Sequence, residues 1–273
     1  MDFLIKIISK LRLKKAAYFP ASFNKPNIYI IGYPISGNTW ISFMISYVLN
    51  AKLKNIDAKE LDLSRIHLKK YLIGKNEHSG SDKFEYIFKS HCTIKDLKIK
   101  KEDKVVYISR DVRDVANSYF WRMENTYNRN NYDFSNNKKI FSSIKKITSL
   151  EFRRKILIRI FGYEWKDHVE THLNNSKIIF LKFENFLDNP KRELNKLISI
   201  IDRKCNNSKI IDEAIDIFSK KNMKNKDIML SQSPDRVGTS KDWKNYFTPK
   251  DTIYFDKKYR DILTRIDNEQ FKK

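Results

Sequence analysis

The segment Gly32-Tyr-Pro-Ile-Ser-Gly-Asn-Thr39 has residue types and a spacing that could bind a phosphate group. It resembles the phosphate-binding loop G-x-x-x-x-G-K-[ST], with Asn38 standing where that pattern has its lysine. Backbone amides at a helix N-terminus bind anions, and Gly37 would let them approach the ligand closely. The side chains of Ser36, Asn38 and Thr39 could donate further hydrogen bonds. Without the lysine, ATP or GTP hydrolysis is a poor interpretation, and a purely structural turn is the alternative.

Two further segments could bind a second phosphate. Arg110 is predicted at the carboxyl end of a strand, and Ser118 lies about two turns along the helix that follows. Arginine suits bidentate contact with phosphate, and serine adds a neutral donor. The segment Arg236–Asn245 contains Gly238 and basic residues, and it could close over the same ligand.

The elements that position these residues alternate between strand and helix. Short apolar runs predict strands at Asn27–Gly32, Phe84–Lys89, Lys104–Ser109 and Lys177–Phe183. Helices are predicted at about Thr39–Asn50, Asp114–Glu124, Glu151–Leu173 and Pro190–Ile201. Near-continuous apolar strands separated by helices indicate an α/β fold with a parallel sheet covered on both faces. Ligands of such sheets bind beyond the carboxyl ends of the strands.

The length of 273 residues suits one large domain or two small ones, and we expect a single domain over residues 1–273. The chain has 55 Lys plus Arg against 33 Asp plus Glu, a net charge of +22, and 41% hydrophobic residues. The charge attracts polyanions, although much of the excess lysine could be ordinary solvated surface. Because no nucleic-acid-binding module is visible, we expect no nucleic acid partner. The two cysteines, Cys92 and Cys205, indicate reduced thiols and a cytoplasmic location.

The N-terminal segment, residues 1–20, is predicted to be basic and amphipathic. Its apolar residues recur near helical spacing between lysines and arginines. Such a helix could lie on an anionic membrane as a peripheral contact, or it could pack on the domain. No apolar run approaches the ~20 residues that a membrane span requires.

Five segments, in order between Ile28 and Tyr259, resemble the motifs of the PAPS-dependent sulfotransferases, the cytosolic and bacterial small-molecule type (PAPS is 3′-phosphoadenosine 5′-phosphosulfate). The resemblance implies a three-layer fold with a P-loop-like loop for the 5′-phosphosulfate. The matching segments are Tyr33–Trp40, Lys89-Ser-His91, Val106–Tyr119, Phe183–Pro190 and Arg236–Asn245.

The resemblance implies transfer of a sulfuryl group from PAPS to a hydroxyl or amine, without a metal. His91 would be the general base, as a neutral imidazole suits that role near physiological pH, and Lys89 would lie close to the transferring group. The 3′-phosphate would be held by Arg110, Ser118, Arg236 and Gly238. Trp40 would pack near the adenine, and Phe183 and Val237 occupy other donor-binding positions of the family.

Three departures from the family pattern affect this expectation. Ile35 replaces the loop lysine that assists the leaving group, and we expect Lys89 to substitute for it. Val237 replaces a phosphate-binding lysine, and Phe183 replaces a tyrosine. Two alternatives therefore stay open: a catalytically weak PAPS- or polyanion-binding protein, and a P-loop kinase-like nucleotide-binding protein.

The acceptor and the oligomeric state are not readable from the sequence. A small-molecule, lipid or glycan hydroxyl would meet the loops at Leu53–Ser81 and Asn128–Lys146, and the second of these is predicted to be a surface segment. Pro249 and Ile253 stand at defining positions of the family's dimerisation motif, so the motif is largely lost.

Overall fold

The computed structural model of the protein describes residues 24–56, 80–128, 148–219, 222 and 240–269. Within these residues, five strands form one sheet in the order β2-β3-β1-β4-β5, and every neighbouring pair is parallel. The strands are β1 (Ile28–Ile31), β2 (Lys52–Asn55), β3 (Tyr86–Ser90), β4 (Lys104–Ser109) and β5 (Ile178–Lys182).

Seven α-helices accompany the sheet in the described ranges. They are α1 (Asn38–Leu49), α2 (Val112–Asn128), α3 (Leu150–Glu170), α4 (Phe183–Asp188), α5 (Pro190–Ile201), α6 (Ser208–Ile217) and α7 (Pro249–Glu269). Short 3-10 turns lie at Ile94–Asp96, Arg203–Cys205 and Asp242–Asn245.

The helices cover both faces of the sheet. Successive side chains of a strand point to opposite faces, and all four residues of β1 are buried. Ile28 and Ile30 join an apolar core with α1, α5 and α6, whereas Tyr29 and Ile31 join a second core with α2, α3 and α7. This arrangement confirms the predicted α/β fold with a central parallel sheet between two helical layers.

The predicted boundaries were accurate where an apolar run is long and clearly bounded. The strand Lys104–Ser109 and the helix Pro190–Ile201 have the predicted limits. Strand β2 (Lys52–Asn55) was missed, because a polar edge strand with one buried apolar residue, Leu53, gives almost no hydrophobic signal. The prediction that the last strand continues through Phe183 was wrong, because this residue begins the short helix α4.

The chain order reverses at β1. From this strand, β3 and β2 lie on one side and β4 and β5 on the other. In open α/β sheets, such a switch point marks the ligand-binding crevice. Gly32 follows β1, His91 follows β3, Arg110 follows β4 and Phe183 follows β5. Four of the predicted site segments therefore leave the sheet at the same edge.

Several sequence-based predictions fall outside the described residues. These are the N-terminal segment 1–20, the larger part of the two acceptor-side loops, and Arg236, Val237 and Gly238 of the closing loop. Among the helices that are described, none has the length and apolarity to cross a bilayer.

Candidate active site

The loop between β1 and α1 presents backbone amides at a helix N-terminus. The first intrahelical hydrogen bond runs from the Ile41 amide to the Gly37 carbonyl, so the amides of Gly37 to Trp40 precede the helical ladder. Ser36 is fully buried beside them, and its hydroxyl has no hydrogen-bond partner among the described residues. Unpartnered buried donors next to a helix N-terminus fit an anionic ligand.

Gly37 is required here by its backbone conformation and by its packing. Its φ is +94°, in the left-handed region that side chains disfavour. A Cβ built on it would lie 2.3 Å from the Phe183 ring. The start of α4 therefore packs directly against the loop.

Ile35 also adopts a left-handed conformation, with a φ of +72°. For a β-branched side chain this conformation is strained, by about 1–3 kcal/mol. The carbonyl of Ile35 accepts a hydrogen bond from Nη1 of Arg110 at 3.1 Å. The strained turn is thus tied to the residue that follows β4.

Arg110 is buried, with 4% of its surface exposed. Its guanidinium carbon lies 4.8 Å from the centroid of the Phe183 ring, a cation–π contact. Burial lowers the pKa of Arg110, and the carboxylates of Asp114 and Glu184 oppose that shift. Burial also raises the pKa of both acids. The result is a desolvated cation whose charge is partly balanced by nearby acids.

Helix α2 carries Ser118 and also contacts the C-terminal part of the predicted closing loop. Ser118 is half-buried. One turn earlier, the Asp114 carboxylate accepts hydrogen bonds from the amides of Lys241, at 2.8 Å, and Trp243, at 3.2 Å. The described chain therefore resumes against the same helix that bears Ser118.

His91 lies beside the loop, immediately after β3. Its Nδ1 is 2.9 Å from the Gly32 carbonyl oxygen, and its Nε2 is 3.3 Å from Nζ of Lys89. A carbonyl can only accept a hydrogen bond and an ammonium can only donate one. Both contacts therefore select the tautomer with the proton on Nδ1 and the lone pair on Nε2, and a base needs that lone pair.

Asn38 was predicted to donate to the phosphate, but the structure places its amide against the backbone near His91. Its Nδ2 lies 3.1 Å from the Gly32 carbonyl and 3.4 Å from the Ser90 carbonyl. The Asn38 side chain is buried, with 2% of the residue exposed. Its backbone amide remains in the first turn of α1.

A buried histidine that was not predicted from the sequence, His168, contacts the backbone of His91. His168 donates from Nε2 to the His91 carbonyl at 3.1 Å, so its Nδ1 accepts from the Tyr107 hydroxyl at 2.8 Å. His172 donates from Nδ1 to the His168 carbonyl at 2.6 Å. The only sequence signal was the i, i+4 spacing of the two histidines on the predicted helix.

The two tryptophans of the matched motifs have different surroundings. The Trp40 indole donates to the Phe218 carbonyl at 2.7 Å and meets the Phe183 ring edge-on, with 6.0 Å between the centroids. Trp243 is buried beneath the Arg113 guanidinium, at 4.3 Å. Trp40 and the half-buried Thr39 stay close to the loop, and Trp243 is a core residue.

The fold and this site together define an α/β protein with a glycine-containing loop that leads into a helix at the switch point of a parallel sheet, and with a histidine beside that loop. A family model for the sulfotransferase domain matches residues 25–272. The chain belongs to this family.

Curated relatives and solved structures agree with the family. The chain is 28% identical to mouse sulfotransferase 1B1 over 261 residues, which covers 86% of this chain and 81% of that protein. It is 26% identical to bovine sulfotransferase 1E1 over 265 residues, with coverages of 85% and 82%.

The structure is similar in fold to mouse sulfotransferase SULT7A1, which was crystallised with PAP. The TM-score is 0.62 at 20% identity, covering 95% of each chain. It is also similar to retinol dehydratase, crystallised with androsterone and the inactive cofactor PAP, with a TM-score of 0.54 at 15% identity, covering 93% of this chain and 85% of that one.

Proposed function

We propose that this protein transfers a sulfuryl group from PAPS to a hydroxyl or amine acceptor. In this reaction the acceptor atom forms a bond to sulfur, and the bond between sulfur and the phosphate oxygen breaks. The bonding electrons stay on the leaving phosphate, giving PAP (3′-phosphoadenosine 5′-phosphate). Membership of the sulfotransferase family and the PAP complexes of two proteins of similar fold support this donor.

The 5′-phosphosulfate would bind at the loop after β1. The amides of Gly37, Asn38 and Thr39 stand at the helix N-terminus, and the buried Ser36 hydroxyl lacks a partner among the described residues. These groups provide neutral donors where an anion would gain from the helix dipole.

The 3′-phosphate would bind at the neighbouring strand end. Arg110 is a desolvated cation fixed by Ile35 and Phe183, and Ser118 follows it on α2. A charge-assisted bond from a buried arginine is stronger than the same contact in water. Arg236 and the Gly238 amide, with Val237 between them, would complete this site from the closing loop. Trp40 and Phe183 would pack on the adenine side.

His91 would act as the general base, and its geometry is the observation that carries the proposal. The Gly32 carbonyl holds the proton on Nδ1 and leaves the lone pair on Nε2, which faces Lys89 and would take the acceptor's proton once Lys89 turns to the leaving oxygen. The same carbonyl ends β1, where the phosphate loop begins. The base and the donor loop are therefore fixed to one backbone position.

Lys89 would supply the positive charge that Ile35 cannot. It is buried, with 6% exposed, and its ammonium lies 3.3 Å from Nε2 of His91. A buried cation at this position can stabilise charge developing on the leaving oxygen.

The acceptor class and the cellular setting are further parts of the proposal. We propose a small-molecule, lipid or glycan hydroxyl as the acceptor that His91 would deprotonate. We propose one sulfotransferase domain over the whole chain. The basic N-terminal segment would allow peripheral contact with an anionic membrane.

The proposal is tested with sulfur-labelled PAPS and pooled hydroxyl and amine acceptors, with release of PAP as the readout. We expect release faster than in buffer, and we expect His91→Ala to lower the rate by about 10²–10⁴-fold while PAP affinity stays within a few-fold. Asp212→Asn is the control, because it breaks an exposed ion pair with Lys191 and should leave the rate unchanged.

Two results would assign a different function. If the protein binds PAP yet converts PAPS to PAP no faster than buffer does, it is a PAPS-binding member of the fold with little transferase activity. If ATP with magnesium raises the melting temperature more than PAP does, the protein is a kinase-like nucleotide binder instead.

A further inference from the structure

We infer that Asn38 is a positioning residue for His91, through the backbone carbonyls that hold the imidazole. This inference deepens the proposed function and rests on it. In this role the Asn38 side chain orients His91, and only the backbone amide of Asn38 is left to bind the phosphate.

The side-chain amide nitrogen of Asn38 lies close to three atoms in and around the His91 ring. Nδ2 of Asn38 lies 3.1 Å from the Gly32 carbonyl, 3.4 Å from the Ser90 carbonyl and 3.3 Å from Nδ1 of His91. Because Nδ1 of His91 carries the proton that it donates to Gly32, the amide cannot also donate to it. The two amide hydrogens therefore go to the two carbonyls.

These carbonyls end the two central strands on the His91 side. Gly32 follows β1, Ser90 is the last residue of β3, and Ile31 pairs with Ser90 in the sheet. The backbone hydrogen bonds between β1 and β3 end at this pair. Beyond it, the Asn38 amide connects the two strand ends by bonding to both carbonyls. Since Ser90 directly precedes His91, that link fixes the position of the histidine backbone.

The Asn38 side chain also packs closely against the backbone of Gly32. A Cβ built on Gly32 would lie 2.7 Å from Oδ1 of Asn38 and 2.5 Å from the Ile108 carbonyl. Only a residue without a side chain leaves room for the amide at this place. Glycine is therefore required here by the Ile108 carbonyl as well as by the Asn38 side chain.

Titratable groups of the described residues contact His91 from more than one element. Lys89 on β3 faces Nε2, and His168 on α3 donates to the His91 carbonyl. The residue that α1 presents is the neutral Asn38. An aspartate at this position would place a carboxylate about 3 Å from Nδ1 and would favour the imidazolium, raising the pKa of His91.

The experiment uses the full chain with ¹⁵N-labelled histidine and follows the His91 ring by NMR, assigned with His91→Gln. The variants are Asn38→Ala, which removes the amide, and Asn38→Asp, which keeps its size. Ser42→Ala is the matched control, since the buried Ser42 hydroxyl bonds to the Asn38 backbone carbonyl at 2.6 Å without touching His91. Turnover and PAP affinity are measured in parallel.

We expect wild-type His91 to carry its proton on Nδ1. Asn38→Ala should give a mixture of tautomers and about tenfold lower turnover, the value of one net hydrogen bond, with PAP affinity within about twofold. Asn38→Asp should move the His91 pKa, and the acid limb of the pH–rate profile, up by about one unit. Ser42→Ala should leave the His91 signals unchanged.

The inference is overturned if the His91 tautomer and pKa are the same in both Asn38 variants as in the wild type. A tenfold or larger loss of PAP affinity in Asn38→Ala, with unchanged His91 signals, would instead make the side chain a donor ligand. Absence of sulfuryl transfer in the wild type would remove the proposed function, but the NMR result would still decide the role of Asn38.

Discussion

The guanidinium of Arg110 lies over the ring of Phe183, and that ring covers Gly37 in the loop between β1 and α1. One aromatic side chain thus connects the ends of β1, β4 and β5. The family has tyrosine at position 183, yet the contact with Arg110 uses the ring face and needs no hydroxyl.

This contact predicts how donor affinity responds to substitution. Arg110→Ala should weaken PAP binding by about 1.5–3 kcal/mol, the value of a hydrogen bond to a charged group. Phe183→Leu should cost about 0.5–2 kcal/mol, because it removes the cation–π contact, and Phe183→Tyr should change little. Calorimetric titration of the two single variants and the double variant measures the coupling. Strictly additive losses would mean that Phe183 does not act through Arg110.

Restoring a cation at position 35 should accelerate transfer. Ile35→Lys returns the lysine that the family has in the loop. It also replaces a β-branched residue, which is strained in the left-handed conformation, by an unbranched one. We expect turnover to rise by about 10- to 100-fold, part of the ~2.7–4 kcal/mol that such a donor supplies. Ile35→Met is the control, since it removes the branching but adds no charge. Equal gains in both variants would attribute the effect to the backbone.

The protein should lose stability in mild acid because of His172. Burial, followed by the nearby His168, lowers the pKa of His172 to about 3. Its Nε2 accepts the Ile94 amide hydrogen at 2.9 Å, which requires the neutral ring. Between pH 6.5 and 3 the unfolded chain binds a proton that the folded chain does not. The contribution of His172 to the free energy of unfolding is therefore complete above pH 6.5, and it falls by about 1.4 kcal/mol per pH unit below that value.

Urea unfolding at pH 7.5, 6.5 and 5.5 measures this slope. His172→Gln keeps a donor and an acceptor but cannot titrate, so the free energy of unfolding should depend less on pH in that variant. Parallel pH dependences for the two proteins would contradict the assignment.

A buried ion cluster should dominate the stability of the contact between α3 and α7. Asp251 is 2% exposed, and it accepts hydrogen bonds from Arg159 at 3.2 Å and Arg154 at 3.4 Å. Asp251→Asn would leave two buried cations without their counter-charge and should cost about 3–5 kcal/mol of unfolding free energy.

The matched control for this prediction is Asp212→Asn, because Asp212 forms an exposed ion pair with Lys191 at 2.7 Å. Breaking a surface pair should cost less than about 1 kcal/mol. Denaturant unfolding of both variants gives the comparison, and similar losses would count against the buried cluster.

The sequence predicted the layers of the fold because apolar runs report burial directly. Strand β4 and helix α5 were placed at their observed limits, and both are bounded by clear signals: a buried Val-Val-Tyr-Ile run, and Pro190 after a capping asparagine. Edge strand β2 and helix α4 were missed, because each is short and neither has the periodicity of its class. Helices α6 and α7 were also not predicted, although the buried residues Phe255, Tyr259, Ile262 and Ile266 of α7 recur at helical spacing.

The parts of the candidate site that lie within one sequence motif could be predicted. Contacts between residues on different strands and helices could not. The loop, Lys89-Ser-His91 and Arg110 were identified from local pattern, although their roles stay predictions. The link from Asn38 to His91 and the buried support from His168 could not be foreseen. They depend on which strands are neighbours in the sheet, and spacing along the chain does not encode that.

The convergence of four segments at one edge of the sheet also has a consequence for folding. No single stretch of chain contains the site, so a partly unfolded molecule that has lost β5 also loses the ring behind Gly37 and the support of Arg110. Hydrogen exchange should reveal this cooperativity. A ligand in contact with all four segments would slow exchange at backbone amides of β5 as much as at those of β1, because opening of either would release it.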